Sequence, residues 1–176
     1  WYGFIGTPDM AGYTISVDVM GKQVRDNLPN MGVTAHRYIL QLVGNEQKLR
    51  VSAWDAMPRV VKEAHFDWKP DTWYRLKMTV KIDGDHTEVL GKAWEKTDTE
   101  PADWNLILTD ENPNLTGPPG IYGSALGIQP PKTGTPIYYE MGCHQITRSI
   151  RTWTLDGFKI TFPRGCSRNC WYYTNV

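Results

Sequence analysis

The sequence predicts an all-β fold, an antiparallel sandwich or jelly roll made of about ten short strands. Three observations lead to this prediction. Apolar and polar side chains alternate over several short stretches, turn residues separate these stretches, and no amphipathic helical pattern exceeds about two turns. The 176 residues are enough for one domain with its own core.

The clearest predicted element is a hairpin between Trp73 and Trp94. In its first half, one face carries Tyr74, Leu76, Met78, Val80 and Ile82, and the other carries Trp73, Arg75, Lys77, Thr79 and Lys81. This period of two indicates a half-buried β-strand. Asp83-Gly84 supplies residues that tolerate the positive φ of a tight turn. The alternation then resumes, with Val89, Gly91 and Ala93 on one face.

The other strands are predicted from β-forming residues between turn signals. Gly44-Asn45 indicates a turn, and Asn112 to Gly120 reads as a loop because of its Pro, Gly and Asn content. In chain order, the remaining predicted strands are Tyr13 to Val19, Thr34 to Val43, Gln47 to Trp54, Arg59 to Phe66, Asn105 to Thr109, Ile121 to Leu126, Ile137 to Glu140 and Trp153 to Phe162.

The charge balance and the length of the apolar runs argue against a nucleic-acid partner and a membrane span. Lys and Arg total 19 and Asp and Glu total 19, so there is no basic excess to attract nucleic acid. No apolar run approaches the roughly 20 residues of a membrane-spanning helix. We therefore expect neither a nucleic-acid partner nor a membrane span. The chain begins with Trp1, so we expect it to be processed or to be part of a longer protein.

Several motifs together resemble the concanavalin A-like lectin/glucanase jelly roll. They are YTISVDV (Tyr13 to Val19), GVTAHRY (Gly32 to Tyr38), PDTWYRLK (Pro70 to Lys77), GKAW (Gly91 to Trp94), EPADW (Glu100 to Trp104), PGIYG (Pro119 to Gly123) and IYYE (Ile137 to Glu140). The chain is most similar to the version appended to bacterial secreted proteins with PQQ-type β-propeller repeats. The resemblance spans roughly residues 4 to 140. It implies a periplasmic or extracellular location and a β-propeller as a possible neighbouring domain.

The sequence departs from this family after Tyr139. A segment with Cys143 and His144 intervenes before WTLDGFKITF, which is similar to the family's closing strand. We therefore divide the chain into a jelly-roll domain at 1–162 and a tail rich in cysteine and aromatic residues at 163–176.

Catalysis is not favoured by the sequence. Jelly-roll glycosidases of the resembled superfamily carry carboxylates at E-x-D-x-x-E spacing on one strand, where two of them serve as nucleophile and acid. This spacing is absent. Asp83 and Asp85 fit a plain hairpin turn better than a metal site. A glycan or keto-sugar hydrolase of the same fold remains the alternative, since a domain proposed to hydrolyse 3-keto sugars shares the fold class.

The cysteines and histidines do not show a metal-binding spacing. His36, His65 and His86 are isolated and read as ordinary packed or surface residues. Three cysteines, Cys143, Cys166 and Cys170, leave open a disulfide between two of them or a zinc site with His144. We expect the disulfide, with one thiol left over, and we expect neither a metal nor a cofactor.

The candidate binding site is a face that carries tryptophan beside arginine. An indole can stack on the C–H face of a sugar while charged groups bond to its hydroxyls. The alternative is that loops cover this face and the tryptophans only pack beneath them. The candidate ligand-binding residues are Trp54, Trp73, Trp94, Arg50, Arg75 and Arg37.

Among these tryptophans we expect different environments. Trp94 should be covered, because the small residues Gly91 and Ala93 beside it indicate a close-packed neighbour. Trp54 should be exposed, because its strand neighbours are polar. The sequence thus predicts a non-catalytic carbohydrate-binding or interaction module, and the resemblance implies that it belongs to an exported bacterial protein. A structural or assembly domain is a further alternative.

Overall fold

The described part of the chain is built from β-strands. The computed structural model describes residues 2–23, 25–53 and 59–124 with their side chains, and the strands at 142–143, 150–155 and 158–163 by their backbone. These residues form thirteen strands and no helix. In chain order the strands are β1 (Tyr2–Phe4), β2 (Thr14–Met20), β3 (Asn30–Ala35), β4 (Tyr38–Val43), β5 (Lys48–Ala53), β6 (Val61–His65), β7 (Trp73–Asp83), β8 (His86–Glu95), β9 (Leu106–Asp110), β10 (Gly120–Ser124), β11 (Gly142–Cys143), β12 (Ile150–Leu155) and β13 (Phe158–Pro163).

Two antiparallel sheets form a β-sandwich. Sheet A has the strand order β1-β10-β3-β4-β5-β6, and sheet B has the order β11-β2-β7-β8-β9. Strands β12 and β13 pair with each other as a separate hairpin. Apolar side chains from sheets A and B meet in one core, as expected when two sheets pack face to face. The all-β prediction is confirmed for the described residues.

The core follows from the alternation along the strands. Gly91 lets the sheets approach closely, because a Cβ at this position would lie 2.6 Å from Cδ1 of Leu40. Sheet B contributes Ile15, Val17, Val19, Tyr74, Leu76, Met78, Val80, Val89, Ala93, Leu106 and Leu108 to the core. Sheet A contributes Met31, Val33, Ala35, Tyr38, Leu40, Leu42, Leu49, Val51, Ala53 and Ile121.

The predicted hairpin is confirmed as β7 and β8, which pair from Tyr74–Glu95 to Asp83–His86. The turn lies one residue later than the sequence suggested. Asp83 is still paired, and the positive φ of 59° falls on Gly84. Glycine adopts this conformation without steric cost, so the turn places β7 and β8 in register.

Two stretches that the sequence predicted as single strands are hairpins. The stretch 34–43 reverses at His36 and Arg37, which have φ values of 50° and 63°, and so contributes to both β3 and β4. The stretch 153–162 is divided between β12 and β13. The predicted strand Ile137–Glu140 lies outside the described residues.

Strand β8 is buried on both of its faces. Val89 and Ala93 point into the core, while Lys92 and Trp94 are buried on the other side. The connection between β8 and β9, residues 96–105, covers this second side. Its backbone accepts a hydrogen bond from Lys92 Nζ at Pro101 O, at 2.6 Å. Its Asn105 Oδ1 accepts one from the Ala93 N–H, at 2.9 Å.

Within the described ranges, no helix has the length and hydropathy needed to cross a membrane.

Candidate functional site

The side chains of sheet B that point away from the core form a charged and aromatic surface. Strand pairing places Asp18 of β2 opposite Arg75 of β7, and Arg75 opposite Trp94 of β8. The next row aligns Ser16, Lys77 and Lys92. We call this surface the outer face of sheet B and define it by Ser16, Asp18, Trp73, Arg75, Lys77, Lys92 and Trp94.

Asp18 is a buried carboxylate that holds two cations. Arg75 donates from Nε to Oδ1 at 2.6 Å and from Nη2 to Oδ2 at 2.9 Å. Lys96 Nζ lies 3.1 Å from Oδ2. The aspartate is 2% exposed. Burial acts to raise the pKa of Asp18, but the hydrogen bonds and charges of Arg75 and Lys96 outweigh it and lower that pKa. The carboxylate therefore stays ionised.

Arg75 is held in one orientation by this contact. Its hydrogen bond to Asp18 is the main cause of a raised pKa at Arg75. The side chain is 28% exposed, so part of the guanidinium faces solvent. Because the two-pronged contact fixes the planar group, its remaining N–H donors have a set direction.

Trp73 lies beside Arg75 at the start of β7 and is half-buried. Lys96 Nζ lies 5.2 Å from the centre of the Trp73 ring. The Lys96 backbone N–H donates to Trp73 O at 2.8 Å, which explains why the two side chains meet. The 5.2 Å between Lys96 Nζ and the Trp73 ring centre is within the range of a cation–π contact.

Lys92 lies under the 96–105 connection. Its Nζ is 2.6 Å from Glu100 Oε1, 4.8 Å from the Trp104 ring centre and 5.7 Å from the Trp94 ring centre. Glu100 Oε1 also lies 2.8 Å from Lys77 Nζ. Hydrogen bonds from Lys77 and then Lys92 are the main causes of the lowered pKa of Glu100.

The structure brings together only part of the predicted site. Trp73, Arg75 and Trp94 share the outer face of sheet B. Arg50 does not, because it lies on β5 of sheet A, where it binds Glu63. Arg37 is exposed in the turn between β3 and β4.

Most of the remaining predicted residues are outside the described part. Trp54, Cys166 and Cys170 lie outside the described residues, as does His144. Cys143 is described by its backbone, in β11. The disulfide and the exposure of Trp54 therefore stay predictions.

The sequence prediction missed Asp18, Lys92, Lys96, Glu100 and Trp104. Two signals in the sequence pointed to three of these five residues. Asp18 alternates with the apolar residues of β2, which indicates an outward side chain in a strand, and Glu100 and Trp104 lie in the EPADW motif. The pairing of β2 with β7 was not available from the alternation alone.

The outer face of sheet A offers a different environment. Thr34 and Gln41 point away from the core, yet both are buried, and among the described residues their Oγ1 and Oε1 atoms have no hydrogen-bond partner. Both of these atoms are out of contact with solvent.

One end of the sandwich holds two polar networks that join loops. His36 is fully buried, accepts the Gly12 N–H at Nε2 (3.1 Å) and contacts Asn114 O through Nδ1 (3.2 Å). Tyr38 donates to Asp110 at 2.6 Å, and Asp110 Oδ1 accepts the Asn112 N–H at 3.0 Å. Of the two environments expected for His36, packed or surface, the structure shows the packed one. Both networks fix backbone segments.

The carboxylates Asp18 and Glu100 are not suited to act as general acids. Asp18 and Glu100 are held ionised by their cations, whereas a general acid needs a carboxyl that keeps its proton near neutral pH. In the part of the chain that the structure describes, no three His, Cys, Asp or Glu residues are grouped as metal ligands.

Comparisons with protein-family models, with curated proteins and with solved structures found no match.

Proposed function

We propose that this protein is a non-catalytic carbohydrate-binding module that holds its glycan on the outer face of sheet B. We further propose that the sandwich is a concanavalin A-like jelly roll from an exported bacterial protein, with a β-propeller as a possible neighbouring domain. The motif resemblance supports this second part. The sandwich architecture is compatible with it.

The observation that supports glycan binding best is the fixed guanidinium of Arg75 beside the indole of Trp73. Buried Asp18 orients Arg75 at 2.6 and 2.9 Å, so a ligand would not have to order that side chain. The free N–H groups can donate to sugar hydroxyls. The half-buried indole supplies apolar area for the C–H face of a sugar ring.

The same face argues against the hydrolase alternative. Retaining and inverting glycosidases use one carboxyl as a general acid, whose pKa must be raised. The pKa values of Asp18 and Glu100 are both lowered by their basic neighbours. Neither of these two carboxylates is suited to that role.

Glycan-array screening of the wild type, followed by titration calorimetry on the best ligand, tests the proposal. Trp73→Ala should abolish binding while the fold survives, because Trp73 is outside the core. Arg75→Lys should weaken binding, because it keeps the charge opposite Asp18 but loses the planar fork. Lys81→Ala is the matched control, since Lys81 points the same way from β7 and is 58% exposed.

Two outcomes would overturn the proposal. One is a wild type that retains no glycan on the array. The other is a Trp73→Ala variant that binds as tightly as the wild type.

The proposed export is tested separately by mass spectrometry of the unreduced protein. An oxidising compartment predicts one intramolecular disulfide among the three cysteines. Three thiols that react with alkylating reagent under native conditions would contradict it.

A further inference from the structure

Two lysines on the outer face of sheet B share one carboxylate oxygen. Lys77 on β7 and Lys92 on β8 are directly paired across the strands. Their Nζ atoms lie 2.8 and 2.6 Å from Glu100 Oε1. The contacts form a site for one carboxylate between two ammonium groups, and a side chain of the same protein fills it.

We propose that this position binds the carboxylate of a uronic acid unit, which takes the place of Glu100. The inference rests on the proposed glycan-binding function and narrows its substrate class to acidic polysaccharides. It adds Lys77 and Lys92 to the site as the residues that select for the acid.

The burial of Lys92 explains why an anion is needed here. Its side chain is 5% exposed, and a buried ammonium group is costly without partners. Pro101 O accepts one hydrogen bond at 2.6 Å, and the rings of Trp94 and Trp104 lie nearby. These contacts do not depend on Glu100. The lysine therefore stays held when the glutamate side chain moves away.

Glu100 is the part of this arrangement that can be exchanged. Its side chain is 43% exposed, and its two partners are both lysines on the sheet. A rotation about its side-chain bonds would free the position without moving the 96–105 backbone. A carboxylate on a sugar would then receive the same two charge-assisted hydrogen bonds.

The charges around this position favour an anion over a neutral sugar. Arg75 and Lys96 are already bound to Asp18. Among the described residues, Glu100 is the one acidic side chain that forms an ion pair with Lys77 or Lys92. Asp98 and Asp103 of the connection are exposed to solvent. A neutral hydroxyl in place of Glu100 would leave the two ammonium groups uncompensated.

The test compares trigalacturonic acid with its neutral methyl ester by titration calorimetry at physiological ionic strength. The wild type should bind the acid about tenfold more tightly than the ester. Glu100→Gln should tighten acid binding severalfold, because it removes the internal competitor, and should leave ester binding unchanged. Lys77→Met should remove the preference for the acid. Lys81→Met, on the same strand and outside the site, should preserve it.

Each other outcome has a distinct meaning. Equal binding of acid and ester overturns the acidic-glycan inference and leaves the proposed function in place. Binding of neither, together with an empty glycan array, overturns both. A DNA fragment is the polyanion control. If the wild type binds it as tightly as the acid, and Lys77→Met abolishes that binding, the surface binds polyanions in general and the inference is overturned.

Discussion

Strands β7 and β8 are hydrogen-bonded neighbours with similar alternation, yet their outer sides are in different environments. On β7 the outward side chains of Trp73, Arg75 and Lys77 are half exposed, whereas on β8 those of Lys92 and Trp94 are buried. The 96–105 connection crosses β8 and causes this difference. Alternation thus determines which side chains share a face, and the covering segment determines whether that face meets solvent.

The largest expected effect separates the two tryptophans. Trp94→Ala should lower the free energy of unfolding by about 3–5 kcal/mol, because it leaves a cavity in place of a buried indole. Trp73→Ala should lower it by less than about 2 kcal/mol, because its half-buried indole loses less buried area. Urea unfolding of both variants measures the difference. If both variants lose the same free energy of unfolding, the outer sides of β7 and β8 are not in different environments.

A second pair of substitutions compares the two sides of β7 itself. Leu76→Ala should cost about 2–4 kcal/mol, since Leu76 is fully buried between the sheets. Lys81→Ala should cost under about 0.5 kcal/mol, since its ion pair with Glu88 is at the surface. Chemical denaturation checks this. Similar costs for the two variants would contradict the assignment of faces on β7.

A substitution at Lys92 should weaken the contact between β8 and the 96–105 connection. Lys92→Met should cost about 1–3 kcal/mol, because Pro101 O loses its donor beneath the connection. Hydrogen exchange at the Ala93 amide, which donates to Asn105, should become faster as the connection opens. Lys77→Met, which removes only an exposed ion pair with Glu100, is the control. Unchanged exchange in Lys92→Met would show that the connection is held elsewhere.

The smallest expected effect is in the acid range. The folded pKa of Asp18 is lowered, and its unfolded value is about 3.9. Its contribution to stability is therefore complete above that pH and is lost as the pH falls through the lower folded value. Asp18→Asn should flatten the loss of stability below about pH 4. Glu100→Gln should flatten it less, because Glu100 is exposed to solvent.

Urea unfolding at a series of acidic pH values measures both slopes. If the free energy of unfolding falls with decreasing pH as steeply in Asp18→Asn as in the wild type, the buried aspartate is not the group that titrates.

Much of the fold could be predicted from local patterns. The β7–β8 hairpin follows from strict alternation on both sides of a turn dipeptide. The reversal at His36-Arg37 was missed, because strand-forming residues continue on both sides and neither turn residue is glycine. The division of 153–162 had a signal, since Asp156-Gly157 is a dipeptide that favours two-residue hairpin turns.

The candidate site was harder to predict than the strands. Arg50 was grouped with Trp73 because both alternate with apolar residues, but alternation does not say which sheet a strand joins. Trp94 is buried as expected, for a different reason. Gly91 and Ala93 face the core, whereas Trp94 is buried on the opposite side of the sheet, where the Lys92 ammonium lies 5.7 Å from its ring centre. Asp18 and Arg75 meet only because β2 pairs with β7.

The strand order also has a consequence for how the chain reaches this structure. Strands β3 to β6 and β7 to β9 pair with their sequence neighbours. In contrast, β2 pairs with β7 and β10 pairs with β3, which are distant along the chain. Bringing such distant segments together carries an entropy cost, and sandwiches rich in distant pairings fold in about milliseconds to seconds. Until then the edges of β3 and β7 remain open to strands of other molecules. Refolding yield should therefore fall as protein concentration rises.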